Sequence, residues 1–471
     1  MSEYVAGNRR VSRNVLLHQY DNEQYSVVNL RSITAIAGPS IGVFLLATLA
    51  TLLIIRVVAD LGADAVAAVT AGQRVLFLFL AILMGISAGA TALVSRSWGA
   101  GDRALAGCFA RISLLASIII VAVVAVLVIA GASLIADYFQ LQNTAREQAI
   151  VYIRWVSFFA ITQAVVIVLG TVLRSVGDAM TPLYFSGAAN FGSVLAAWGL
   201  TSGFFGIPGL GVRGAAIGWG LAYLLCAVLY LWQWRRGALR LPWTKAPPMT
   251  LARLRIFARV CWPAVTEQLV MQFAMLGFAW FVGFQGKYAF AAYGIGLAIL
   301  SVAAVIAVGF SIAAAATVGQ SLGEGSQERA ELAARTALQA GLVLMIIVSV
   351  FLFIAAESVA ELMVTDPRVL ALTVQFVQVL AFLLPLLTVD LILAGAMRGA
   401  GDTRFPMMVG VGAAAFVRLP LAYIVTLLGV SAIWLFGIFL VDQAVKTLLL
   451  YWRFRSRRWL RKLPVRALAD N

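Results

Sequence analysis

Two acidic residues stand where acids are rare, because Glu267 and Asp390 each interrupt a long apolar stretch. Glu267 lies eight residues beyond Arg259 and Asp390 eight residues before Arg398. At 1.5 Å per helical residue, both sit roughly 12 Å inside an apolar layer whose edge those arginines mark. A charge at that depth is costly and is a functional candidate until a plain partner is found. Neighbouring carboxylates in low-dielectric surroundings take up a proton near neutral pH. Their oxygens equally suit sodium, with help from amides such as Gln268, Gln272 or Gln378. The chemistry indicated is therefore the binding and release of a cation, H+ or Na+. The plainer arrangement of the same residues is two acids separately satisfied by hydrogen bonds.

The other polar groups inside apolar stretches read more simply. Asp442 and Lys446 are one helical turn apart and neutralise each other. Arg418, beside Pro420, and Arg154 and Arg56, near the outer ends of their stretches, are expected to snorkel or to bind helix ends. Gln73, Gln163 and Asn190 either form a polar patch in a cavity or join helix to helix. Covalent catalysis has no support. His18 is the sole histidine, no HExxH is present, and the GISAG string at 85–89 lies inside an apolar stretch without a histidine to activate Ser87. Cys108, Cys226 and Cys261 have no CxxC spacing, so neither a disulfide framework nor a metal site is expected.

The elements that must position these residues are membrane spans. The 471 residues are 62% hydrophobic and 12% charged, with a mean hydropathy of +0.96, so water is not the main solvent of this chain. A span needs roughly 20 apolar residues. Such stretches fall near 32–58, 65–95, 107–136, 147–173, 180–204 and 213–235, then 256–284, 288–320, 330–356, 368–397, 404–429 and 432–453. The expected fold is all-α and integral to the membrane, with 12 spans in two six-helix lobes. Its divisions are a tail at 1–31, lobes at 32–235 and 256–453, a linker at 236–255 carrying Pro247-Pro248, and a basic tail at 454–471.

The formal charge of +15 would suit nucleic acid on a soluble basic face, but the basic residues are placed between spans, and no nucleic-acid partner is expected. Arg96, Arg103, Arg111, Arg174, Arg329, Arg335, Arg398 and Arg404, together with the linker, fall on one side of the membrane. The opposite connections carry Asp60, Asp64, Asp137, Glu357, Glu361 and Asp366. By the positive-inside rule both termini are cytoplasmic, and the 30-residue polar start lacks the apolar centre of a cleavable signal.

The first half of the chain recurs in the second at a constant offset of 224. Pro39, Gly85, Gly99, Arg111 and Arg174 return as Pro263, Gly309, Gly323, Arg335 and Arg398. Repeats with an even number of spans keep their orientation and enclose a central cavity, which rocking exposes to each side in turn. The strongest repeated unit is LRSVGDAMTP at 173–182, echoed as MRGAGDTRFP at 397–406. In each copy the arginine (Arg174, Arg398) can hold the interface, glycine (Gly177, Gly401) permits a reversal, aspartate (Asp178, Asp402) can cap, and proline (Pro182, Pro406) opens the next helix.

At these residues the chain resembles the multidrug and toxic compound extrusion (MATE) family, whose C-terminal half carries a GALRGAGDTRTP-like stretch similar to 395–406. The resemblance extends over 65–104, 291–330, 206–218 and 453–459, and so over nearly the whole chain. It implies a monomeric inner-membrane antiporter that exports amphipathic, often cationic compounds in exchange for H+ or Na+, with no resident cofactor and with membrane lipids around it. The pattern is not complete. Many relatives carry acids about one turn further from the cytoplasm than Glu267 and Asp390, where this chain has Met271 and Leu387, and a first-span aspartate where it has Ile54. A flippase for lipid-linked glycans or other amphiphiles is the alternative, since related superfamilies share the helix scheme.

Overall fold

The computed structural model describes residues 29–203, 208–242 and 247–461. Of the tails expected at 1–31 and 454–471, residues 1–28 and 462–471 lie outside the described residues, as does Lys245 of the linker. Among the described residues, twelve long rods form the bundle. The first half is α1 (Leu30–Ala59), α2 (Ala63–Gly99), α3 (Arg103–Ala130), the short α4 (Ala132–Tyr138), α5 (Asn143–Ser175), α6 (Met180–Ser202) and α7 (Val212–Arg235). The second half repeats the order with α8 (Leu251–Gly283), α9 (Lys287–Gly323), α10 (Gln327–Ile354), the short α11 (Ala356–Met363), α12 (Pro367–Gly399), α13 (Arg404–Leu427) and α14 (Ala432–Arg455). Among the described residues there is no strand.

Eleven of the twelve rods are long and apolar enough to cross a membrane. The other, α6, has the length but dilutes its apolar residues with Ser, Thr, Gly and Asn. The outer surface is that of a multi-pass membrane protein: Val126, Leu127, Ile347, Phe351 and Phe416 are all exposed, which lipid tolerates and water does not. Helix ends fall at predictable chemistry. Asp102, Ser326 and Asp366 cap α3, α10 and α12 by accepting backbone N–H bonds. The repeat-related prolines Pro39 and Pro263 interrupt the ladders of α1 and α8.

The cores do not part at the linker: one joins α2, α3, α5 and α7 with Phe257, Val260 and Cys261 of α8, another joins Ile33, Ile36 and Ala37 of α1 to α9, α10 and α12, and two further clusters lie within the second half. The seam between the halves is built twice over by the repeat. A Cβ at Gly85 on α2 would collide with Val265 on α8, and a Cβ at Gly309 on α9 would collide with Ile41 on α1. Gly85 and Gly309 are 224 apart, as are Ile41 and Val265. Nearer the ends of α2 and α9, Gly99 lies against the Gln320 backbone and Gly323 against that of Arg96. Here two side chains cross the seam reciprocally: Arg96 Nη1 donates to Ala400 O at 3.2 Å, and Gln320 Nε2 donates to Ser175 O at 2.8 Å. Arg96 and Gln320 are again repeat partners.

This corrects one expectation. Arg96, Arg174 and Arg398 are not residues of connecting loops but occupy the last helical turns of α2, α5 and α12, with Arg96 and Arg174 buried. Arg111 likewise lies within α3 and donates from Nη2 to Pro247 O at 2.7 Å, tying the linker to the bundle.

Candidate functional site

Six charged side chains from four helices converge inside the second lobe. Glu267 stands on α8, Asp390 and Arg398 on α12, Arg418 on α13, and Asp442 and Lys446 on α14. Arg398 Nη2 meets Glu267 Oε1 at 2.5 Å, with both side chains largely enclosed. Lys446 Nζ meets Asp442 Oδ2 at 2.8 Å, and Arg418 pairs with the same carboxylate, its Nε at 3.1 Å. Gln443 Nε2 donates to Asp390 Oδ2 at 2.6 Å. The charges act on one another: Glu267 feels Asp390 and Lys446, and Asp390 feels Lys446, Arg398 and Asp442. Three acids face three bases, so the fully ionised cluster is neutral.

Local sequence explains how each residue is presented. Gly410 on α13 faces Glu267, whose Cγ would lie in ordinary van der Waals contact, 3.4 Å, with a Cβ there. The ladder of α13 widens into a π turn at Ala414–Arg418, just before Pro420. A proline without an N–H forces such an adjustment, and here the widened turn carries Arg418 inward onto Asp442 and over the Phe439 ring. Arg418 is 5% exposed, which overturns the expectation that it snorkels or binds a helix end. Arg154 and Arg56 are exposed, and Arg56 pairs with Asp60 at 2.6 Å. Asp442 and Lys446 do pair, but within this cluster and with Arg418 as a third member.

Two buried oxygens in the cluster have no partner among the described residues, Glu267 Oε2 and Asp442 Oδ1. A buried carboxylate oxygen left unpaired is expensive. Chemically, such an oxygen could take a proton or a hard cation, each of which supplies a positive end.

The first lobe lacks this chemistry. The repeat positions of Glu267, Asp390 and Arg418, 224 residues earlier, are Val43, Val166 and Val194; α14 matches α7 at an offset of 220, so those of Asp442 and Lys446 are Ala222 and Cys226. Arg174 alone survives, bonded through Nη2 to Thr171 at 3.2 Å. The repeated loop motif has also diverged. Gly177 and Gly401 both take a positive φ, 84° and 83°, closing the helix end. Asp178 then accepts from the Thr181 N–H at 3.0 Å as a cap, whereas Asp402 instead pairs with Arg453 at 2.8 Å. Pro182 and Pro406 both lie in the first turn of the next helix.

The six amides do not gather on one surface. Gln73 bonds to Tyr152, and Asn190 accepts from the Tyr223 hydroxyl at 3.1 Å, both within the first lobe. Gln163 keeps a buried Oε1 without a partner among the described residues. Gln268 and Gln272 are half-buried on α8 beside Glu267, while Gln378 is twelve residues from Asp390 along α12, roughly 18 Å away. The amide that does reach an acid is Gln443, which sequence reasoning missed although it adjoins Asp442.

Comparison with known proteins agrees with this architecture. The MatE family model matches residues 39–198 and 263–424, the two matches themselves beginning 224 residues apart. A probable multidrug resistance protein NorM from Thermotoga maritima is 26% identical over 399 residues, covering 84% of this chain and 85% of that protein. Among solved structures, an outward-facing multidrug resistance MATE family transporter of the MOP superfamily superposes with a TM-score of 0.83 at 20% identity, covering 94% of this chain and 97% of that one. A MOP superfamily transporter from Pyrococcus furiosus, whose binding pocket is described as of reverse polarity, gives 0.84 at 21% identity over 92% and 97%. With its duplicated lobes and its family model spanning both, this chain belongs to the MatE family of multidrug and toxic compound extrusion transporters, which are transporters and not enzymes.

Proposed function

We propose that this protein exports amphipathic, cationic organic compounds across the inner membrane in exchange for H+ or Na+, with Glu267 and Asp390 as the coupling acids. The lobes are 32–235 and 256–453, joined by the linker at 236–255 and working as a monomer, and the termini face the cytoplasm. The observation that carries the reading is the buried Oε2 of Glu267, close to the interlobe seam and without a hydrogen-bond partner among the described residues.

The position of this acid suggests how loading is transmitted. Arg398, which holds the other oxygen of Glu267, is two residues from Ala400, whose carbonyl Arg96 grips from the first lobe. Glu267 itself is two residues beyond Val265, which packs into the gap left by Gly85. A cation arriving at Glu267 weakens its hold on Arg398 and so alters the helix end to which the first lobe is latched. A compound leaving through the crevice and a cation entering then act on one two-state element, as coupling requires. Efflux of drug-like compounds agrees with the naming of the Thermotoga maritima relative.

The test is transport of a fluorescent cationic dye by purified protein in liposomes under a pH or a sodium gradient imposed separately. Uphill movement under one gradient, lost in Glu267→Gln and Asp390→Asn, is the expected result. Movement under neither gradient sinks antiport and favours flipping of amphiphiles.

A further inference from the structure

At the end of the bundle that carries the linker, the repeat sets a cavity in each lobe among the described residues. That of the first lobe, of about 690 Å³, lies between the start of α3 and the turn after α7, with Arg103 on one wall and Arg235, Arg236 and Arg240 on the other. That of the second, of about 430 Å³, lies between the start of α10 and the segment after α14, and is lined by Glu328, Glu331 and Arg457. The two are one place in two copies. Gly101 and Gly325, which line them, are 224 apart, and Gly237 and Arg457 match at the offset of 220, with positive φ of 72° and 53°. Asp102 and Ser326 match as well, and each caps its helix by accepting from the N–H of Leu105 or Arg329.

The shape has been kept while the charge has diverged. In the second lobe the walls balance each other, because Glu331 pairs with both Arg335 and Arg457. In the first lobe the positions of Glu328 and Glu331 are Ala104 and Gly107, while those of Gln327, Ser456 and Leu460 are Arg103, Arg236 and Arg240. Four guanidiniums thus line a cavity beside one acid, Asp102, which already serves as a helix cap. Arg103 lies over the Trp98 ring at 5.1 Å and Arg236 over the Trp232 ring at 3.7 Å, and no carboxylate pairs with either among the described residues. Stacking on an indole fixes the plane of a guanidinium and leaves the N–H groups on its edge for an oxyanion.

The surface leading to this cavity fits a lipid better than a soluble anion. Leu225, Leu229 and Trp232 are exposed at successive turns of α7, and Arg236 follows one turn later on the same face. An acyl chain along this stripe brings its phosphate to the guanidiniums, with tryptophan at the boundary, where an amphipathic ring is favoured. We propose that the first-lobe cavity is a binding site for the headgroup of an anionic phospholipid, its phosphate held by Arg103 and Arg236. Such a phosphate ties the start of α3 to the turn after α7, the task that Glu331 performs for α10 and Arg457 in the other lobe. The orientation proposed above puts this lipid in the inner leaflet, and the site itself does not depend on that orientation or on the transport reading.

The test is lipid retention by detergent-purified protein, read by native mass spectrometry with dioleoyl phosphatidylglycerol against dioleoyl phosphatidylcholine. The wild type should hold phosphatidylglycerol the more tightly. Arg103→Gln/Arg236→Gln should weaken that binding by about tenfold or more, at roughly fivefold for each basic residue, with little effect on phosphatidylcholine. Arg103→Lys/Arg236→Lys should retain part of the preference. Arg329→Gln/Arg404→Gln, which removes two charges from the same end of the second lobe, should change retention by less than about twofold. A phosphatidylglycerol with a diazirine in its acyl chain should label the wild type on the peptide containing Trp232, a result that needs no variant to fold. Equal retention of the two lipids, equal losses in the two glutamine variants, or labelling only elsewhere overturns the inference. Displacement of the lipid by equimolar glycerol 3-phosphate also overturns it, and assigns the cavity to a soluble anion.

Discussion

Replacing Glu267 by glutamine separates the structural and coupling parts of the account. The side chains of Glu267 and Arg398 are only 10% and 14% exposed, so removing the negative charge leaves a buried guanidinium without its main partner. Breaking a buried pair in this way costs about 3–5 kcal/mol. The lower end, about 3 kcal/mol, applies here because the amide oxygen still accepts and Asp390 remains within electrostatic reach of Arg398. Thermal unfolding in detergent should register that loss. The double variant Glu267→Leu/Arg398→Met, which removes both charges, should recover most of it.

Coupling should behave differently. One pH unit is worth about 1.4 kcal/mol per proton, which sustains at most about a tenfold dye gradient per proton exchanged. The wild type in liposomes should approach that ratio under whichever cation gradient it uses. Glu267→Gln and the stable double variant should both fall to equal concentrations inside and out. Dye accumulation by Glu267→Gln equal to that of the wild type, under the same gradient, refutes the reasoning.

The seam offers a second prediction, because Gly99→Val forces a side chain into the Gln320 backbone and should drive the lobes apart at this end. Native Cys261, buried against Gly89, is a ready reporter, and maleimide should label it faster in the variant than in the wild type. Arg96→Met, which removes the grip on Ala400, should produce the same acceleration with a smaller loss of stability; unchanged labelling in both variants counts against a latch. Asp442→Asn strands two buried cations, Arg418 and Lys446, and should lower folding stability by about 3–5 kcal/mol or abolish membrane expression. A normal melting profile for that variant contradicts the cluster as drawn.

Much of this was legible in the residues. Apolar length placed the spans, and the 224-residue offset anticipated a seam on which Gly85 and Gly309 play matching parts. Counting from Arg259 and Arg398 put Glu267 and Asp390 at one depth, and they do lie within electrostatic reach of each other. The same count concealed the reason. Arg398 served as a marker of the membrane edge, whereas its side chain folds back along the helix to Glu267. Charge counting cannot distinguish an arginine in a loop from one in a last turn that faces inward, because both occupy the same stretch of sequence. Arg418 was hidden for another reason: an unbroken 3.6-residue period does not follow a residue through the π turn of α13. The separate fates of Asp178 and Asp402 depend on Arg453, which is distant in sequence and meets Asp402 only in the folded protein.

The central claim is that compound and cation exclude each other at one buried acid cluster. The direct measurement is cation release when purified wild-type protein, in weakly buffered detergent solution, binds rhodamine B ethyl ester. Dye binding should displace about one proton or one sodium ion per molecule bound, and affinity should fall reciprocally as that cation is raised. In Glu267→Gln both effects should vanish. Dye binding that releases neither cation and is indifferent to pH and sodium contradicts the account.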